Sequence, residues 1–117
     1  MPSECAPVFA TPTADDPALA DIVRRLVDAY RPERIYLFGS VARGDATGDS
    51  DYDLLVVVAD DTEPARRRSR LAYEALRGTG VAADVLVCTH SYFEDRRELK
   101  ASLPGAVVRE GRLMHAA

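Results

Sequence analysis

The stretch GSVARGDATGDSDYDLLVVV, Gly39 to Val58, decides how this chain is read. A Gly-Ser pair stands ten residues ahead of Asp51-Tyr52-Asp53, which opens an apolar run. On an extended strand Asp51 and Asp53 leave the same face, about 6–7 Å apart along the backbone. A glycine at a strand end lets backbone approach a phosphate closely. The N–H groups that follow, with the Ser40 hydroxyl, can donate to phosphate oxygens. Two carboxylates projecting beside such a turn can hold divalent cations against the phosphates of a bound nucleotide.

Each piece has a plainer reading. An Asp-x-Asp at a loop–strand junction is often a turn device, and Ser40 could simply cap a helix. With both present in order, that account needs two coincidences. A third piece is Asp84, inside VAADVLVC. A charged side chain in an apolar strand costs several kcal/mol unless paired or metal-bound. It either pairs with an arginine such as Arg77 or joins Asp51 and Asp53 in a self-repelling cluster that binds Mg²⁺. Arg43 sits on the turn facing the same place and either grips a triphosphate or bridges to Asp45 or Asp49. Together these residues point to nucleotidyl transfer.

Working outward, Asp16 reads as an N-cap with Pro17 at the first helical position. Leu19, Ile22, Val23, Leu26, Val27 and Tyr30 follow at helical spacing, and Arg31-Pro32 stops the helix. Ile35 to Phe38 form a short buried strand, Val41 to Arg43 a helical turn, and Gly44 to Ser50 a loop. Asp53 to Val58 read as a strand buried on both faces. A helix from Glu63 to Arg77, capped by Asp60 or Asp61, ends at Gly78 and Gly80. A strand from Val81 to Cys88 comes next. A helix capped by Ser91 runs to Ala101, where Pro104-Gly105 breaks the chain. The tail VVREGRLMH makes a final strand or a hairpin around Glu110-Gly111. The fold class expected is α/β (α+β): a mixed sheet with helices packed mainly on one face.

The 117 residues fit one domain, residues 16–117, behind a flexible arm over residues 1–15. A hydrophobic share of 47% with 29% charged residues describes an ordinary globular protein, not a disordered one. The net charge of -4 argues against nucleic-acid binding through overall charge, so no direct nucleic-acid contact is expected. Arg66, Arg67, Arg68 and Arg70 read as a solvated helix face, or else a dock for an acidic partner or an RNA end. Cys5 and Cys88 lack partners at metal-finger spacing, and Cys88 reads as a buried thiol. His90 and His115 are isolated. Pro2, Pro7 and Pro12 break any secretory apolar region, and no run approaches a membrane span of ~20 residues, so a cytoplasmic location is expected.

At Gly39-Ser40, Asp51, Asp53 and Asp84 the chain resembles the minimal nucleotidyltransferase (MNT) family of the DNA polymerase β superfamily. The finer pattern GSxARGD…SDxDLxV matches through Arg43, Gly44, Asp45, Ser50 and Leu54. The resemblance implies a nucleotidyltransferase fold in which Asp51, Asp53 and Asp84 are catalytic and ligate one or two Mg²⁺ ions. Gly39, Ser40 and Arg43 would bind the nucleotide. It also implies ATP as the donor of AMP, and Asp84 as an aid in activating the attacking hydroxyl. A core with so little beyond it needs its acceptor surface from a partner or a dimer mate. The implied partner is a HEPN (higher eukaryote and prokaryote nucleotide-binding) ribonuclease toxin. Adenylylation of a toxin tyrosine would then be the neutralising chemistry of an antitoxin. Two alternatives stay open: an aminoglycoside-type small-molecule nucleotidyltransferase acting as a homodimer, and a non-catalytic toxin-binding module.

Overall fold

Of the stripe read from helical spacing, Leu19, Ile22, Val23, Leu26 and Tyr30 are buried along helix α1 (Pro17–Tyr30) and Val27 is half-buried. The computed structural model describes residues 17–39, 52–81 and 83–117. The expected arm over residues 1–15, the Asp16 cap, the turn at Val41–Arg43 and the loop at Gly44–Ser50 lie outside the described residues. The helix ends as expected at Arg31, which takes a left-handed φ of +48° while its N–H bonds to the Val27 carbonyl at 2.9 Å.

Four strands form one mixed sheet. They are β1 (Arg34–Phe38), β2 (Tyr52–Val58), β3 (Ala83–Thr89) and β4 (Arg112–Ala116). Their order across the sheet is β3-β2-β1-β4. β1 runs antiparallel to both β2 and β4, while β2 and β3 are parallel. The unbroken apolar run of β2 is explained by burial on both faces. Leu54, Val56 and Val58 point into a core shared with α1, and Leu55 and Val57 into a second core on the opposite side. Each such side chain contributes roughly 1.5–3 kcal/mol.

Helices therefore cover both faces, where the sequence places them mainly on one. Besides α1, the larger core receives α2 (Arg70–Ala75) through Ala72. The other face is covered by α3 (His90–Arg96) through Phe93 and by α4 (Leu103–Glu110) through Val107. A run as apolar as β2 requires this second layer, since Leu55 and Val57 would otherwise meet water.

The segment expected as one helix over 63–77 is two pieces, a 3₁₀ turn (Pro64–Arg67) and the short α2. Tertiary hydrogen bonds break it. The Tyr30 hydroxyl donates to the Arg68 carbonyl at 2.5 Å and accepts from the Ala72 N–H at 3.0 Å. Ser69 donates its hydroxyl to the Val85 carbonyl at 3.0 Å instead of capping. Burial pushes the Tyr30 hydroxyl above its ordinary pKa, so it stays protonated and able to donate.

Asp60 does not cap that segment either. It accepts from the Ser91 N–H at 2.8 Å and from the Ser91 hydroxyl, which ties the end of β2 to α3. The cap of α3 is Thr89, accepting from the Tyr92 N–H, rather than Ser91. Pro104-Gly105 opens α4 instead of breaking the chain. Ser102 accepts from the Gly105 N–H at 3.0 Å, and a proline in the first turn forfeits no helical bond. The tail then pairs with β1 as a true strand, with an irregularity in register between Ile35 and Tyr36.

Candidate functional site

The register of the sheet places Phe38, Asp53 and Asp84 in one row. Phe38 on β1 pairs with Asp53 on β2, and Asp53 pairs with Asp84 on β3. Paired residues on adjacent strands share a face, with strands about 4.8 Å apart. The carboxylates of Asp53 and Asp84 are thus neighbours, although 31 residues separate them in sequence. By the two-residue period they lie on the face that carries Leu55, Val57 and Cys88. α3 and α4 cover the far end of that face. At the near end Asp84 is exposed and Leu86 is 40% exposed, so the row faces open space.

Gly39 completes the described part of the site. The chain leaves β1 through it with φ +77°, a conformation that side chains rarely adopt. An added Cβ would collide with Asp53 Oδ2 and come within 3.1 Å of its Cγ. The glycine is therefore required twice, by backbone dihedral and by the carboxylate against it. The sequence reading puts a Gly turn and an Asp together, and here the two are in contact distance.

Asp84 does not pair with Arg77. Neither side chain makes a hydrogen bond or ion pair with any described residue. Among the described residues the plainer account of a charge at this strand position, a salt bridge to Arg77, is therefore not what holds it. Asp53 is engaged in an interaction of its own. Ser40, Arg43 and Asp51 lie outside the described residues. Among the described residues no three metal-ligating side chains come together. Asp53 and Asp84 nevertheless form a donor pair suited to a hard cation, because both are carboxylates, adjacent, on an open face.

Two neighbours escape a motif reading. Phe38 is the apolar wall beside Asp53, and Leu86 stands two residues beyond Asp84 on the same face. Strand alternation was the available signal for both. Cys88, further along that face, is half-buried, and burial pushes its thiol up to about 11 against the opposing charge of Arg34. It stays protonated and serves as packing.

Residues 18–108 match the nucleotidyltransferase domain family. The chain belongs to that family. As a nucleotidyltransferase it is 31% identical, over 103 residues, to a Methanocaldococcus jannaschii protein provisionally named a protein adenylyltransferase. That match covers 86% of this chain and 98% of the relative. A provisionally assigned nucleotidyltransferase from Sulfolobus solfataricus is 28% identical, with a TM-score of 0.51, covering 68% of this chain and 70% of the other. A chain from the Shewanella oneidensis complex of a tri-AMPylated HEPN toxin with an MNT antitoxin shares the fold. Its TM-score is 0.50 at 20% identity, with 86% of this chain and 73% of the other covered. The mixed sheet expected from the sequence is thus the nucleotidyltransferase sheet. No helix among the described residues is long and apolar enough to cross a membrane.

Proposed function

We propose that this nucleotidyltransferase transfers AMP from ATP to a hydroxyl of a protein partner, a HEPN-domain toxin, and acts as its antitoxin. The observation that carries the chemistry is the adjacency of Asp53 and Asp84 beside the bare Cα of Gly39. The partner class is supported by what the relatives are: a chain named for protein adenylylation and one from a complex with a tri-AMPylated HEPN toxin. The residue in the partner is proposed to be a tyrosine, and the chain's location the cytoplasm.

In this reading the turn at Gly39-Ser40, with Arg43, holds the triphosphate, and Gly39 keeps the backbone close enough to do so. Asp51, Asp53 and Asp84 would hold one or two Mg²⁺ ions. Ions held there would supply charge neutralisation on the triphosphate and polarisation of the α-phosphate. Asp84, exposed at the open end, takes the proton of the attacking hydroxyl. The acceptor oxygen then bonds to the α-phosphorus as the bond to the bridging oxygen breaks, and pyrophosphate leaves with that electron pair. The products are the adenylylated acceptor and pyrophosphate. Most of the acceleration comes from alignment and charge neutralisation.

Intact-mass spectrometry on a co-expressed HEPN-domain protein, incubated with Mg-ATP, tests this directly. Adenylate-sized mass steps with the wild type, lowered about a hundredfold or more in rate by Asp53→Asn or Asp84→Asn, are the expected result. An unmodified partner that binds wild type and variants equally would reduce the chain to a binding module. Transfer to a free aminoglycoside instead would make it a small-molecule enzyme.

A further inference from the structure

The proposed chemistry leaves one surface unused. Arg70, Tyr73 and Arg77 recur at i, i+3 and i+7 along α2 and the turn that extends it, so they form one exposed stripe. Tyr73 is 77% exposed. Arg70 meets only Glu74, at 3.8 Å between two exposed side chains, a pair that contributes little. The Arg77 side chain makes no hydrogen bond or ion pair with any described residue. Between this stripe and the start of β3 lies a cavity of about 450 Å³. Leu76, Ala83 and Val85 give it an apolar lining, and Tyr73, Arg77 and Asp84 belong to its wall. β3 is the terminal strand of the described sheet, so the cavity opens beside a sheet edge rather than within a layer.

We propose that this face docks the protein acceptor, resting on the reading above that Asp84 serves the acceptor side. The occupant is a segment of the partner that seats an apolar side chain in the cavity and sets acidic side chains against Arg70 and Arg77. Because β3 is the terminal strand of the described sheet, the segment carries its hydroxyl round that edge to Asp84, whose side chain leaves the opposite face from Val85. Three features favour this occupant. An exposed tyrosine flanked by arginines has the composition of interface anchors. Among the described residues the two cations have no strong partner, so acidic groups complement them without breaking a bond seen there. The lining is apolar, and a net charge of -4 with Asp84 and Glu74 close by opposes a polyphosphate chain such as RNA.

The test uses the full chain with Tyr73→Ala, Arg77→Glu and the double variant Arg70→Glu/Arg77→Glu. Adenylyl transfer is followed on the co-expressed HEPN-domain protein, and affinity for Mg-AMP-PNP is measured separately by calorimetry. All three side chains are exposed, so melting temperatures should stay near that of wild type. The expected result is a KM for the partner raised about tenfold by either single change and more by the double, with nucleotide affinity unchanged. Raised salt should weaken the wild-type partner KM and leave the double variant nearly unaffected. If wild type transfers AMP and the variants keep its partner KM, the docking surface is wrong while the enzymatic reading stands. If wild type transfers nothing to the HEPN-domain protein, both fall. Arginine-dependent binding of a 5′-phosphorylated RNA oligonucleotide with no change in partner KM would overturn the protein assignment.

Discussion

One face of the sheet is used in two opposite ways along its length. At the far end Tyr36 stacks on Phe93, with ring centroids 5.2 Å apart, and the Arg34 guanidinium lies 4.9 Å from the centre of the Phe93 ring. Arg34 also donates to Glu94 at 2.8 Å, so β1 and α3 are held by packing and charge together. At the near end, two or three residues along the same strands, stand Phe38, Asp53 and Asp84, with no helix among the described residues closing over Asp84. The contrast teaches how a small domain holds like charges side by side. Adjacent carboxylates repel. They stay in register because the strands bearing them are fixed by Leu55, Val57, Phe93 and Val107 at the other end.

The sharpest way to break the comparison is to empty the packed end. Phe93 is fully buried, and Phe93→Ala should cost about 3–5 kcal/mol, the range for deleting a buried aromatic side chain. Denaturant unfolding reads this. If the far end fixes the carboxylate row, transfer per folded molecule should fall as well. Retained transfer in the surviving folded fraction would show that the two ends are independent.

A smaller effect on stability, and a more local one, is expected of Gly39→Ala. The dihedral of +77° costs an alanine about 1–2 kcal/mol, and the new methyl must displace the Asp53 carboxylate. Transfer should drop about a hundredfold, as when one preorganised electrostatic group is lost. A melting curve and a rate measurement on the same preparation separate the two. Loss of stability without loss of rate would mean that the Asp53 position tolerates movement.

The two ends were unequally legible in the sequence. The near end could be read because its chemistry is local: a Gly turn and an Asp on a strand are recognisable in a twenty-residue window. The link to Asp84 rested on a charge inside an apolar strand and on the family likeness; the register that sets it beside Asp53 is visible only in the sheet. The far end was harder. Phe93 looks like one more helical residue until α3 is known to sit against Leu55 and Val57, and that takes the second face of the sheet. Where tertiary bonds overrule local preference, sequence reading fails in a traceable way. Nothing near Arg68 announces that Tyr30 will take its carbonyl, and the helix expected over 63–77 is split at that point. Pro104-Gly105 carries the ordinary signal of a break, yet Ser102 turns it into a helix start, and Gly105 is needed because a Cβ there would collide with the Leu99 carbonyl.

The smallest effect concerns the charge that completes the packed end. The Arg34 hydrogen bond holds the Glu94 carboxyl below the ordinary glutamate range, against a smaller opposing effect of burial, and Arg97 adds to it at 3.2 Å. A carboxyl whose folded pKa is depressed stabilises the fold above its unfolded pKa, near 4.3, and that contribution fades as pH falls through the folded value. Glu94 is about one-third exposed, so solvent screening keeps the effect small. Wild type should therefore lose a little stability between about pH 5 and pH 3 that Glu94→Gln does not lose, while the variant is slightly less stable at pH 7. Melting temperatures of both proteins across that range provide the check. Because the change removes only charge and leaves Phe93 stacked on Tyr36, transfer should be nearly unchanged. A large loss of transfer would mean that the Arg34–Glu94 pair, rather than the aromatic stack, fixes the strands at the carboxylate end.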